Sequence, residues 1–283
     1  MRRMTACSER ILTFTATDGL ILHGRLFSAR NSRCIIHIHG LGSNFYSANY
    51  HEIMAERYRA LGYDYFVSNN RGAEFIKKLR SEQKQTSEYY GYTFELFHEA
   101  DRDIQGVIKF IRSLGYRSLI LQGHSSGCQK ILYTLSQHDI SIESVVLLSP
   151  CDDVGLAIQQ YGSDGLKEKV KFAQQTKEEF LPKNFFFDLP LSRLGFLSHY
   201  GPGNHFDIFH YYDPKRPFTE IAKNRAKTFV LFGERDHVID FQVVKKVYGE
   251  YPQYVLGVLP SADHRYSDSE EALVNRICAF LRG

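Results

Sequence analysis

The sequence predicts an α/β fold, a mostly parallel sheet with helices on both faces, opened by an antiparallel hairpin. Three observations carry this. Short apolar runs of strand type alternate with amphipathic helical runs, at a spacing that leaves one helix between successive strands. The alternation occurs in two blocks, residues 1–150 and 225–283, with a stretch of different character between them. At the centre of the first block stands Leu121-Gln122-Gly123-His124-Ser125-Ser126-Gly127-Cys128, where a strand pattern gives way at once to a helix pattern.

Taken in order, residues 11–15, the turn Thr17-Asp18-Gly19 and residues 20–27 form the opening hairpin. Cys34-Ile35-Ile36-His37-Ile38-His39-Gly40 is a short apolar run ending in glycine, the pattern of a buried strand. A helix follows, with Tyr50, Ile53, Met54, Tyr58 and Leu61 on one face, arginines in its last turn and Gly62 just beyond. Residues 65–68 are the next strand, ending at Asn69-Asn70-Arg71-Gly72. Residues 73–93, polar and then tyrosine-rich, read as a long loop. From Phe94 a second amphipathic helix runs through Phe97, Ala100, Ile104, Val107, Ile108, Ile111 and Leu114, and Gly115 stops it. Residues 118–121 enter the central turn, residues 128–135 leave it as a helix, and residues 144–148 are another buried strand. The second block supplies strand 228–232, helix 241–248, strand 254–259 and helix 273–281. Residues 151–224 break the pattern with charged helical turns and aromatic clusters. They read as an insertion over the sheet edge, a cap on a core made of residues 1–150 and 225–283.

Bulk properties narrow the function. A chain of 283 residues can bury a sizeable core, and its net charge of +3 with dispersed Lys and Arg calls for no nucleic acid. The Lys-rich stretch 167–177 contains Glu168, is followed by Glu178 and Glu179, and reads as a solvated helix face. No run approaches the roughly 18 apolar residues of a membrane span. The first residues, with two arginines and no apolar run behind them, lack the pattern of a secretory signal. The five cysteines (Cys7, Cys34, Cys128, Cys151, Cys278) are scattered and without paired spacing, which points to a reducing, cytoplasmic setting. No cofactor is called for, and oligomeric state is not legible.

The chemistry centres on Ser125. Gly-x-Ser-x-Gly between a strand and a helix fits a turn so tight that its middle residue takes a strained conformation, with Gly123 and Gly127 where chains approach too closely for a side chain. A serine hydroxyl is a poor nucleophile at neutral pH and needs a base, which in turn needs an anion to orient it. Both follow in the expected order, each in a loop after a late strand. Asp236 lies four residues beyond one strand and His264 five beyond the next. Glu234, Asp240 and Asp263 are rival acids. For the oxyanion, backbone N–H groups are expected from Ser126 at the helix start and from Leu41 in His39-Gly40-Leu41-Gly42, with Gly42 the other candidate in that loop. His37 and His39 share a strand face, but no further ligand type lies near them, so core support outweighs a metal pair. His237 sits beside the acid and is read as neither base nor ligand. Gly40, His124, Phe186 and Phe206 are the expected substrate contacts, the last two from an aromatic insertion whose self-packing is the competing explanation.

With these residues in place the chain resembles the α/β-hydrolase superfamily, over nearly its whole length: His39-Gly40-Leu41-Gly42, Gly123-His124-Ser125-Ser126-Gly127, Asp236 and His264, in that order. The resemblance implies an eight-stranded sheet with a cap after the sixth strand. Many relatives carry Asp-x-Arg-Gly after the fourth strand. Asn69-Asn70-Arg71-Gly72 keeps Arg-Gly and lacks the Asp, which argues against the monoacylglycerol-lipase-like and peptidase-like branches. The context 122–129, with Tyr90-Gly91-Tyr92-Thr93-Phe94-Glu95 upstream, is similar to a branch that includes fungal siderophore esterases, which implies esters of hydroxamate or similar secondary-metabolite acids. The expected activity is cleavage of a carboxylic ester on a small-molecule acyl substrate carrying a mid-sized apolar or aromatic group. The competing readings are a thioesterase (with a carrier protein as partner), an amidase, a cyclase or an acyltransferase on the same residues, and a non-catalytic binding module.

Overall fold

The computed structural model describes residues 8–236 and 241–283. Of the positions singled out above, Cys7, His237 and Asp240 lie outside the described residues, as do the first residues of the chain.

Strands β1 (Ser8–Thr15) and β2 (Ile21–Ser28) pair antiparallel, with Thr15 opposite Ile21. Then come β3 (Arg33–Ile38), α1 (Tyr50–Ala60) and β4 (Tyr63–Ser68). A small separate hairpin, β5 (Lys77–Arg80) with β6 (Ser87–Tyr90), precedes α2 (Ala100–Ser113). The remaining elements are β7 (Ser118–His124), α3 (Ser126–Gln137), β8 (Ser144–Leu148), α4 (Asp153–Gln175), α5 (Arg193–Tyr200), α6 (Thr219–Lys223), β9 (Lys227–Gly233), α7 (Phe241–Gly249), β10 (Tyr254–Leu259) and α8 (Glu270–Arg282).

One eight-stranded sheet runs in the order β1-β2-β4-β3-β7-β8-β9-β10, parallel from β4 to β10. Because side chains alternate faces along a strand, each buried strand feeds two cores. Ile36, Ile38, Leu119, Leu121, Val145 and Leu147 meet α2, α3 and α7 on one side. Ile35, Ile120, Val146 and Leu148 meet α1 and α8 on the other. Residues 151–224 lie between β8 and β9, the sixth and seventh strands of this sheet. The N–H of Phe97 donates to Ser198 Oγ (2.8 Å), Thr93 Oγ1 donates to the Pro190 carbonyl (2.6 Å), and the Tyr211 and Tyr248 hydroxyls pair at 2.7 Å. The insertion is thus packed onto the sheet domain through the segment before α2 and through α7.

Two stretches depart from the sequence reading. Residues 73–93 contain the β5–β6 hairpin, an exposed element whose polar residues leave no apolar alternation to read. The second helix begins at Ala100. Residues 92–99 make two 3₁₀ turns instead, because Glu95 and Phe97 turn inward and the Phe97 N–H is taken by Ser198. Tertiary contacts there override a helical apolar spacing.

Candidate active site

Strand β7 delivers the chain to Ser125, whose φ is +53° and ψ −128°, a conformation that L-residues rarely hold. The two flanking glycines are explained by close approach. A Cβ on Gly123 would stand 2.8 Å from the Cys128 nitrogen, and one on Gly127 would stand 2.2 Å from the Ile38 carbonyl oxygen. The Ser125 N–H donates to the Leu148 carbonyl at the end of β8 (2.9 Å), so the turn is pinned to the neighbouring strand.

Two loops from further along the same edge converge here. His264 Nε2 is 3.1 Å from Ser125 Oγ, and His264 Nδ1 is 2.9 Å from Asp236 Oδ1. With Nδ1 donating to the buried carboxylate, Nε2 is left to accept the serine proton. The rival acids are turn residues: Glu234 accepts the Ser261 N–H (2.8 Å), and Asp263 accepts those of Arg265 (3.0 Å) and Ser267 (2.9 Å). Bonds along the strand ends tie these loops together. The Ser149 N–H donates to the Leu231 carbonyl (2.8 Å), the same carbonyl accepts the Tyr266 hydroxyl (2.7 Å), and Ser149 Oγ donates to Tyr266 Oη (3.0 Å).

Gly40 lies directly on the serine: a Cβ there would be 2.8 Å from Ser125 Cβ and 3.4 Å from Oγ. The next N–H along the chain belongs to Leu41, and Ser126 opens α3 directly after the serine. This loop is held from behind. His39 Nδ1 donates to the Gly40 carbonyl (2.7 Å), and its Nε2 accepts the Asn70 N–H (3.2 Å). Burial and nearby Lys130 push the His39 pKa down to about 3, so the ring stays neutral in these roles. His37 meets the Gln122 amide nitrogen at 2.9 Å. Both histidines are buried supports, and among the described residues no group of three metal-type side chains occurs. Asn69 Oδ1 accepts the Phe45 N–H (2.9 Å).

A cleft of about 690 Å³ opens beside Ser125, lined by the apolar Leu41, Tyr50 and Phe75 and by the polar Asn49, Arg265 and Ser267 among others. Gly40 and His124 line it. His124 Nε2 donates to the His264 carbonyl (2.8 Å), and burial together with His264 lowers its pKa to about 4. The expectation for Phe186 and Phe206 needs correction. Neither lines this cleft, and both are buried in aromatic clusters, Phe186 against Phe196 and Tyr200, Phe206 against Phe97 and His199. Self-packing is what those rings do.

Sequence reasoning also missed polar residues behind the site. Lys130 and Glu95, both fully buried, pair at 2.5 Å, and Lys130 Nζ also donates to Asn70 Oδ1 (3.2 Å). Lys130 holds the Glu95 pKa down to about 2 against the cost of burial. Arg71 is buried among Asp103 (2.8 Å), Glu99 (2.8 Å) and Asp18 (2.9 Å). Asp153 begins α4 and accepts from Gln129 Nε2 at 2.6 Å. The one available signal for Asp153 was its place just past a strand end, in Ser149-Pro150-Cys151-Asp152-Asp153.

Comparison with known proteins gives one family. Residues 34–270 match the family model described as the alpha/beta hydrolase fold. No curated protein matches the chain. Among solved structures, a siderophore hydrolase, EstB from Aspergillus fumigatus, is similar at 18% identity and TM-score 0.69, covering 97% of each chain. Est1E from Butyrivibrio proteoclasticus, with ferulic acid bound, is similar at 14% identity and TM-score 0.67, covering 95% of this chain and 98% of its own. An esterase from Pyrococcus furiosus is similar at 17% identity and TM-score 0.62, covering 98% and 91%. At these identities the likeness is one of fold.

Proposed function

The chain belongs to the α/β-hydrolase family, and from that premise we propose that it is a serine hydrolase that cleaves carboxylic esters through an acyl-enzyme on Ser125. The observation that carries this reading is the unbroken line from Ser125 Oγ to His264 (3.1 Å) to Asp236 (2.9 Å) at one edge of the sheet. Ser125 Oγ attacks the ester carbonyl carbon while His264 Nε2 takes its proton, and Asp236 stabilises the imidazolium that forms. The negative charge that builds on the carbonyl oxygen is met by the N–H groups of Leu41 and Ser126. His264 then gives the proton to the departing alcohol, and water, deprotonated by the same imidazole, releases the acid.

The substrate class rests on weaker support. One similar structure is named a siderophore hydrolase and another holds ferulic acid, an aromatic carboxylic acid. With the sequence context around Ser125, these favour esters of secondary-metabolite acids of middle size. The mixed lining of the cleft suits a substrate with both polar and apolar parts.

A panel of p-nitrophenyl esters, run with the wild type and with Ser125→Ala, tests this. Hydrolysis by the wild type that falls by about 10³-fold or more in the variant is expected. A fluorophosphonate adduct mapped by mass spectrometry is expected on Ser125. Activity that survives the substitution, or label on another residue, overturns the reading.

A further inference from the structure

Lys130 takes no part in the chemistry described above, yet it is fully buried on α3, the helix that begins directly after Ser125. A lysine ammonium is costly to bury and needs acceptors there. Its Nζ meets Glu95 Oε1 at 2.5 Å and Asn70 Oδ1 at 3.2 Å. Glu95 balances the charge. Asn70 leads back to the reaction centre.

Asn70 is itself buried and touches His39 twice. Its side-chain nitrogen donates to the His39 carbonyl (3.4 Å), and its backbone N–H donates to His39 Nε2 (3.2 Å). In a neutral ring, an Nε2 that accepts leaves the proton on Nδ1. Nδ1 in turn donates to the Gly40 carbonyl (2.7 Å), which the Ser43 N–H also reaches at 3.3 Å. That carbonyl shares a peptide plane with the Leu41 N–H, and in a trans peptide the two point in opposite directions. Holding the Gly40 oxygen against the buried His39 ring therefore turns the Leu41 N–H away from that ring, on a loop that lines the cleft at Ser125. The other expected donor to the oxyanion, Ser126, stands at the start of α3. The helix that carries one donor thus anchors, through Lys130, the peptide that carries the other.

We propose that Lys130 is a positioning residue of the oxyanion hole, acting through Asn70 and His39 on the direction of the Leu41 N–H. The proposal deepens the esterase reading and rests on it. Without Lys130, the Asn70 side-chain oxygen keeps only the Gly72 N–H (3.0 Å) among the described residues, and the amide gains freedom to turn. The His39 ring and the Gly40 peptide then lose their fixed orientation. A tetrahedral oxyanion is stabilised less, while the ground-state ester, whose carbonyl oxygen carries little charge, binds as before. A lysine with a purely structural role predicts a different result: fewer folded molecules, each with normal catalysis.

The test compares the wild type with Asn70→Ala and with the double variant Lys130→Met/Glu95→Gln, which strands no buried charge. Hydrolysis of p-nitrophenyl butyrate is measured per active site, the sites being counted by fluorophosphonate uptake taken to completion. An alkyl trifluoromethyl ketone probes the oxyanion: Ser125 Oγ bonds to its carbonyl carbon, the serine proton passes to His264, and the negative charge stays on the former carbonyl oxygen. Per counted site, both variants are expected to lose about tenfold or more in kcat and in kcat/KM alike. The inhibition constant of the ketone is expected to rise by a similar factor. Full kcat per site, or unchanged ketone affinity, in the double variant overturns the assignment and leaves the esterase reading standing. The same result in Asn70→Ala overturns the route through Asn70. If the wild type does not cleave the ester through Ser125, the esterase reading falls and this inference with it. Nitrogen NMR of the wild type at neutral pH is expected to show the His39 proton on Nδ1. A proton on Nε2 overturns the proposal even if neither variant folds.

Discussion

Ser125, the proposed nucleophile, has a backbone conformation that no serine prefers. Its φ of +53° places Cβ against its own chain, a cost of the order of 1–3 kcal/mol that the surrounding sheet must carry. Alanine at this position keeps that cost, while glycine removes it. Ser125→Gly is therefore expected to unfold at higher temperature than Ser125→Ala, by an amount worth roughly 1 kcal/mol after glycine's greater unfolded-state entropy is subtracted. Thermal denaturation of the two variants measures this directly. Equal melting temperatures would mean that the strain is absorbed elsewhere. The same residue scale explains why the sequence was informative here. A Cβ on Gly123 or Gly127 would stand 2.2–3.0 Å from backbone atoms nearby in the fold, and such close approach leaves a mark on composition. Asp153 leaves none, because a carboxylate past a strand end has the same letter whether it faces water or a buried amide.

At the scale of elements, the start of α4 concentrates two carboxyl groups that burial pushes upward. The Asp152 pKa rises to about 7 and the Asp153 pKa to about 6, although each accepts hydrogen bonds that favour its charged form. Asp152 caps the helix by accepting the Gly155 N–H (2.7 Å) and also takes the Tyr212 N–H (2.8 Å). Between the ordinary carboxyl value of about 4 and these raised values, the folded chain binds more protons than the unfolded one. Stability from this source is present at low pH and is lost as pH rises from about 4 to about 7, then levels off. Asp153→Asn removes one of the two groups. Its melting temperature relative to wild type is expected to rise with pH across that window and to stay constant above it. A difference that is flat from pH 4 to pH 7 would show that Asp153 titrates normally. The helix itself was legible only in part, since Gly162, with φ +72° and ψ 157°, kinks it and interrupts the apolar spacing.

For the molecule as a whole, the buried pair of Glu95 and Lys130 joins parts that are distant in sequence. Lys130 belongs to α3, Glu95 to the segment before α2, and His199 of the insertion lies 3.7 Å from the same carboxylate. Removing one partner strands the other charge in the interior. Lys130→Met is expected to lower stability by about 3–5 kcal/mol, and adding Glu95→Gln to recover part of that loss. Urea denaturation of the single and double variants reads both numbers. A single variant as stable as the wild type would mean that water reaches Glu95.

Such long-range pairs also mark where the sequence stopped being readable. The sheet, its order of loops and the positions of Ser125, Asp236 and His264 follow from patterns local to each element. The start of α2 at Ala100 and the burial of Phe186 and Phe206 depend on what the insertion packs against, which no local pattern encodes.

The bonds that run from Ser125 to Leu148, from Ser149 to Leu231 and from Tyr266 to both Ser149 and Leu231 have a consequence for how the molecule breathes. Loops at a sheet edge ordinarily open one at a time, at a small fraction of the global free energy. Here the loops after β7, β8 and β10 share hydrogen bonds at the strand ends, so none of them opens without breaking a bond held by another. Native-state hydrogen exchange should therefore find the Ser125 and Ser149 amides among the slowest in the chain, released only with global unfolding, although both sit at the rim of the sheet. Fast exchange at either amide would mean that the loops move independently. If the amides are slow, the spacing between Ser125 and His264 is kept by the same cooperativity that keeps the sheet folded.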